Sequence, residues 1–387
     1  ESRGLGDVYK RQVLGREHLV LTGAPKVSQG GTSRMSGDRI EFFYLGGQLR
    51  EVVITGSGRM EDGAPDSLAA IYQGLPSMDV IEGDSITVEF ENEEISRTVV
   101  IGNASSQYTP LDLDEEVATN SVTGDTIVIN FREEKVRRVK VMGDAEGHYR
   151  FAKISTMMEV LESSSRLVDQ VSQAFGDPLG EAGTALDPTL LQRAPAALDT
   201  LLSAALDSLA TAGFDTAQSA LDFTGNAEMV DYKGQIVTFE MADRTMEMEH
   251  DAELVYGTLK LNARHIKLDT DERELYADGE PLVEDSDTIA GDRMGYNFKH
   301  KSAAVEGGVT TFDGYYYVGD EIRRFEDQTM KIEGGRMTSC DLADPHYHFW
   351  SQNMKMRPED KVVAAPVVMR VGHMPVFALP FYYKSLK

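Results

Sequence analysis

Apolar positions along the chain fall into short alternating runs. Ser85-Ile86-Thr87-Val88-Glu89-Phe90 and Thr126-Ile127-Val128-Ile129-Asn130-Phe131 either alternate or run β-branched, as strands with a buried face do. Polar turn residues separate such runs, for example Glu91-Asn92-Glu93-Glu94, Arg132-Glu133-Glu134 and Asp269-Thr270-Asp271-Glu272. The next run alternates again: Val139 and Val141 point to one side, Arg138 and Lys140 to the other. This pattern predicts paired strands over most of the chain.

The strands recur as a unit. Gly37-Asp38-Arg39-Ile40, Gly83-Asp84-Ser85-Ile86 and Gly124-Asp125-Thr126-Ile127 share one start, and an aromatic follows each at the same offset: Tyr44, Phe90 and Phe131. Each unit closes on a glycine nineteen residues after the first, at Gly56, Gly102 and Gly143. A shorter version follows. Gly291-Asp292-Arg293-Met294 leads through Phe298 to Gly307, and Gly319-Asp320-Glu321-Ile322 leads to Gly335. A degenerate copy, Ala263-Arg264-His265-Ile266, runs to Gly279; these three starts are 28 residues apart. One hairpin cannot bury its own apolar face, so stacked copies build a continuous core. The expected fold is all-β, an open β-solenoid or jellyroll of stacked hairpins. The closing glycines are expected at tight corners with positive φ.

One stretch breaks the alternation. From about 156 to 222 Ala, Leu and Ser dominate, and Leu198, Leu201, Leu202, Ala205, Leu206 and Leu209 fall at helical spacing. Pro178, Pro188 and Pro195 divide it. It is read as a helical insertion that packs or links, since it lacks the basic face of a membrane-surface helix. The expected organisation is then a β-repeat domain at 13–155, the insertion at 156–222, a second β-repeat domain at 223–340 and a junction at 341–387. Residues 1–12 are read as a non-native tail, because Asp7-Val8-Tyr9-Lys10-Arg11-Gln12 resembles an in-frame translation of a sequencing adaptor.

Composition narrows the function. Sixty-four acidic against 38 basic residues give a formal charge of -26, which repels nucleic acid and anionic head groups. An anionic ligand must then be held by its apolar part. Tyr44, Phe90, Phe131 and Phe298, with Val88, Ile129 and Ile266 on the same strands, are core residues or, where the sheets stay apart at one edge, the lining of an apolar groove. Such a groove suits acyl chains, since each buried methylene contributes roughly 0.8 kcal/mol. Catalytic motifs such as G-x-S-x-G, the P-loop, the Rossmann fingerprint and H-E-x-x-H do not occur, so no enzymatic activity, cofactor or resident metal is expected. Cys340, Asp341, His346 and His348 are acceptable zinc ligands, but their spacing fits no standard zinc motif. The aspartates after glycine are expected to accept backbone N–H groups in turns. A calcium-binding or adhesive β-solenoid, holding only its own side chains inside, is the competing class.

The C-terminal stretch carries a resemblance. Gly335-Arg336-Met337-Thr338-Ser339-Cys340-Asp341, Pro345-His346-Tyr347-His348-Phe349, Val362-Val363-Ala364-Ala365-Pro366-Val367 and Met374-Pro375-Val376-Phe377-Ala378-Leu379-Pro380-Phe381 resemble the junction segment of the LPS-assembly LptD family. The specific match covers about 319–387; a looser likeness to OstA-like and LptA-like repeats covers 224–335 and, more weakly, 13–155. The resemblance implies a periplasmic jellyroll at the outer membrane. It would receive lipopolysaccharide from an LptA-like bridge protein and pass the lipid A acyl chains through its interior to a β-barrel plugged by an LptE-like lipoprotein. In that family cysteines tie jellyroll to barrel; Cys340 matches one such position, and this sequence holds no second cysteine. The barrel strands would begin where the chain stops, which reads as a fragment.

Overall fold

The computed structural model describes residues 8–13, 16–29, 33–63, 78–109, 111–112, 116–133, 135–153, 228–284 and 288–386. They form an all-β, jellyroll-like fold of 28 strands joined by antiparallel pairing. The predicted helical insertion lies outside the described residues.

Five short strands come first: β1 (Val8–Val13), β2 (Arg16–Thr22), β3 (Lys26–Gln29), β4 (Ser33–Ser36) and β5 (Arg39–Leu45). Long strands follow: β6 (Gln48–Gly63), β7 (Met78–Glu91), β8 (Glu94–Tyr108), the two-residue β9 (Leu111–Asp112), β10 (Glu116–Arg132) and β11 (Lys135–Lys153). Next come β12 (Glu228–Glu240), β13 (Thr245–Tyr256) and β14 (Leu259–Asp269). Eight short strands succeed them: β15 (Glu274–Asp278), β16 (Leu282–Glu284), β17 (Thr288–Ala290), β18 (Arg293–Asn297), β19 (Ser302–Glu306), β20 (Val309–Phe312), β21 (Tyr315–Val318) and β22 (Glu321–Arg324). The last group is β23 (Met330–Thr338), β24 (Tyr347–Arg357), β25 (Lys361–Ala364), β26 (Val367–Val371), β27 (Met374–Leu379) and β28 (Tyr382–Ser385).

The long strands bend at a corner marked by the repeated Gly-Asp of β7 and β10 and by the residues paired across from it. Where β7 meets β8, Glu82 pairs Ser105 and Ser85 pairs Ile101, so Gly83-Asp84 lies opposite the longer segment Gly102-Asn103-Ala104. This bulge folds the ladder into two leaves. Gly102 and Asn103 are both left-handed, at φ 77° and 46°, a conformation that suits glycine first and asparagine next. Gly83 is required for a different reason: a Cβ there would stand 2.4 Å from the Val100 side chain. The Asp84 carboxylate lies against Gly102 and accepts the Asn103 side-chain amide at 3.2 Å, not the turn N–H groups expected. The same corner recurs at Asp38/Gly56 and Asp125/Gly143. In the last repeat the left-handed glycine against Asp320 is Gly334, one residue before the expected Gly335.

The corner of β13 lacks glycine. His250 and Asp251 are left-handed in succession, at φ 59° and 53°, and both are exposed. An L-residue in this region costs about 1–2 kcal/mol, whereas glycine sacrifices about 0.5–1 kcal/mol of chain entropy. His250→Gly is therefore expected to stabilise the protein by about 0.5–1 kcal/mol. A rise in the urea midpoint at unchanged slope checks it, and an unchanged or lower midpoint would count against a strained corner.

The two β runs are one sheet. β11 pairs β12 from Arg138↔Glu240 to Phe151↔Glu228, so the chain resumes the ladder directly after the stretch 154–227. The segment expected as a junction also continues the sheet: β24 pairs β23 along its length and then carries β25 and β26. At the other end, β1 pairs β2 and includes residues 8–12 of the stretch read as a tail. Inward positions of both leaves, among them Ile54, Ile86, Val100, Ile127, Val141, Met248 and Ile266, form one continuous buried core.

Candidate functional site

The sheet changes character after β14. From β6 to β14 long strands cross the corner and belong to both leaves, which holds the leaves at side-chain packing distance. From β14 onward two separate ladders run side by side. β15, β18, β19 and β22 continue the first leaf. β16, β17, β20 and β21 continue the second. Both rejoin on β23. None of the strands between spans both leaves, so the leaves can part.

A cavity of about 750 Å³ opens where they do. Its inner wall is apolar: Met294, Ala303 and Val305 from the first leaf face Val283, Ile289 and Leu259 from the second. Alternation places them there, since Met294 and Tyr296 share one side of β18 and their partners Val305 and Ala303 share that side of β19. A smaller cavity of about 120 Å³ adjoins it, lined by Tyr149, Phe151, Val230 and Leu268; both share Glu228, Tyr256, Phe298 and Lys301. Phe298 stands at the partition. Its ring meets Tyr256 of the opposite leaf edge to face at 4.9 Å, and Tyr296 of its own leaf at 4.9 Å. The volume lies within the roughly 300–1,000 Å³ usual for small-molecule sites, and the lining is of the apolar kind such sites have.

The rim is polar and mixed in charge. Lys301 pairs with Glu326 at 3.7 Å, and the Arg273 guanidinium lies over Phe151 at 5.7 Å. The Tyr256 hydroxyl donates to Glu228. Burial, reinforced by that carboxylate, raises the Tyr256 hydroxyl far above its ordinary range, so it stays a donor. An apolar interior under a charged rim suits a ligand with hydrocarbon inside and a polar head at the mouth.

Of the groove candidates read from sequence, Phe298 lines this cavity. Val88, Ile129 and Ile266 are buried in the packed core. Phe90 and Phe131 lie at the hairpin ends, half-buried against that core. Tyr44 is half-buried at the hairpin end of β5. Tyr256, Tyr296, Ala303 and Ile289 were not singled out. Tyr296 and Met294 could have been, because they alternate with Phe298 behind the Gly291 start.

Cys340 is a free thiol whose Sγ lies 3.6 Å from His346 Nδ1. His346 is exposed just before β24, while His348 is half-buried on it. Among the described residues no three His, Cys, Asp or Glu side chains are grouped to hold a metal.

In the N-terminal part of the sheet one carboxyl is raised. Asp79 on β7 pairs in register with Asp62 and accepts the Thr109 N–H at 2.9 Å. Burial, with a lesser push from Asp62, raises it to about 6 against the backbone hydrogen bond. A carboxyl raised on folding disfavours its charged form in the native state, so stability is lost as pH climbs from about 4 through 6. Asp79→Asn keeps the Thr109 bond and is expected to add about 1–2 kcal/mol at pH 7.5 and nothing at pH 4. Denaturation midpoints at the two pH values check it; an equal gain at both would remove the titration as the cause.

Compared with family models and with curated proteins, the chain matches none.

Proposed function

We propose that this protein carries the acyl chains of lipopolysaccharide between the leaves of its jellyroll and passes the amphiphile along, without catalysis. The observation that carries the reading is the apolar cavity of about 750 Å³ bounded by Met294, Ala303, Val305, Val283 and Ile289, with its charged rim at Lys301 and Glu326. Two features add to it. The C-terminal motifs resemble the LptD junction. The last strands also present an apolar edge: β27 and β28 each pair on one side among the described residues, and Met374, Val376 and Phe381 are exposed. Exposed apolar strand edges are normally covered, and in the proposed assembly a β-barrel with its LptE-like lipoprotein would cover this one. An LptA-like bridge protein would deliver the lipid in the periplasm.

The test is a photoreactive residue at Phe298, with a second at buried Ile266 as control, exposed to labelled lipid A in detergent. Crosslinking at 298 and not at 266 is expected. No adduct at 298, with lipid A still bound elsewhere or not at all, would favour a solenoid filled only by its own side chains.

A further inference from the structure

The outer face of the second leaf carries a group of side chains that the cavity does not use. Three neighbouring strands, β23, β24 and β26, meet there. Arg336 pairs Trp350 and His348 pairs Arg370 in the register. Buried Met337 and Val367 fix the inward side of their strands, and alternation turns Arg336, His348, Trp350 and Arg370 outward. One arginine thus stands on each side of the His348–Trp350 column.

The chain has 26 more acidic than basic residues, and several outward arginines elsewhere find acids. Arg323 pairs with Glu321, Arg138 with Glu240, and Arg59 with Glu61 and Glu82. Arg336 and Arg370 make no ion pair among the described residues. Arg370 lies over the Trp350 ring at 5.6 Å, and its Nε is buried without a hydrogen-bond partner. His348 Nδ1 is buried and unpartnered as well. The acid that acts on His348 is Asp344, which is exposed and faces His373 at 4.0 Å. Burial first, then Arg336 and Arg370, hold the imidazole below its ordinary range, which an anion between the guanidiniums would reverse.

We infer that Arg336, His348 and Arg370 form a binding site for a phosphate-type oxyanion on the outer face of the second leaf. The two arginines flank one strand and are offset by two residues along it, so their backbones stand roughly 12 Å apart. A planar carboxylate is satisfied by one guanidinium fork. A tetrahedral phosphoryl group has three terminal oxygens and accepts from both forks and the imidazole at once. The Trp350 ring lies under the Arg370 guanidinium. The site is independent of the cavity and of what the cavity holds.

The experiment titrates inorganic phosphate into the full chain and follows the His348 imidazole signals by NMR, with chloride at matched ionic strength as reference. A saturable shift specific to phosphate is expected. Arg336→Gln and Arg370→Gln should each weaken it about tenfold, while Arg323→Gln leaves it unchanged, with thermal melts showing that all three variants fold. No shift at His348, a shift equal to that with chloride, or one that persists in the double variant R336Q/R370Q overturns the assignment. Two further arms separate the sources of the phosphoryl group. Arginine-dependent cosedimentation with vesicles of anionic phospholipid supports a lipid head group. Arginine-dependent binding of glycerol 3-phosphate without cosedimentation supports a soluble phosphate.

Discussion

Replacing Gly147 with valine is expected to destabilise the protein by about 3–5 kcal/mol, combining an overpacked core with a lost buried hydrogen bond. Gly147 lies on β11 directly opposite Tyr232 on β12, at the ladder that joins the strands before residue 154 to those after 227. A Cβ at 147 would fall 2.2 Å from the Tyr232 hydroxyl oxygen and 2.6 Å from the Ser121 carbonyl oxygen. The phenol could swing aside, but the backbone carbonyl could not. Moving the phenol also breaks its 2.7 Å donation to Asn120 Oδ1, and both side chains are buried. Tyr232→Phe separates the terms: it removes the hydrogen bond and keeps the packing, with an expected loss of about 1–3 kcal/mol. Urea unfolding of the two variants checks both. Wild-type stability in G147V would mean that the two β runs do not meet through this ladder.

The corner and the core were legible in the sequence because both rest on local rules. Gly-Asp-x-Ile marks the bend, and alternation behind it assigns Ile86, Val88, Ile127 and Ile129 to the inside, where they are buried. The placement of Gly334 in the left-handed position shows the limit of such reading. In Gly334-Gly335 either residue could turn, and only the contact with Asp320, across the sheet from it, picks out Gly334 as the left-handed one. Joining across the long stretch between β11 and β12 was not legible either. Nothing local to Gly147 or Tyr232 announces a partner 85 residues away.

The cavity was half legible for a related reason. Spacing of 28 in place of the longer repeats shows that the later units are shorter, yet it does not reveal that their strands stay within one leaf. That consequence is non-local. It moves the open region away from Phe90 and Phe131, where long bent strands close the core, and leaves Phe298 as the one of the four repeat aromatics that lines the cavity. The oxyanion cluster depends on cross-strand neighbours 14 and 22 residues apart in sequence, which no motif links.

Ala303→Trp is expected to abolish uptake of acyl chains while leaving the fold intact. Ala303 sits on β19 opposite Tyr296, within the first-leaf wall of the cavity. An indole built there enters open volume of about 750 Å³ and not a packed core. The usual penalty of about 1–3 kcal/mol for overpacking is therefore largely avoided. The indole occupies the space that hydrocarbon would take, and each displaced methylene forfeits roughly 0.8 kcal/mol of ligand burial. Losing two or three methylenes alone weakens binding by roughly ten- to fiftyfold. Lipid A crosslinking at Phe298 should fall by at least tenfold in A303W, with a melting temperature close to that of the parent. Ala304→Trp, one position along and on the opposite side of the strand, should leave crosslinking unchanged. Equal loss in both variants would attribute the effect to disturbed strands. Undiminished crosslinking in A303W would place the ligand outside the leaves, and with it the function proposed for them.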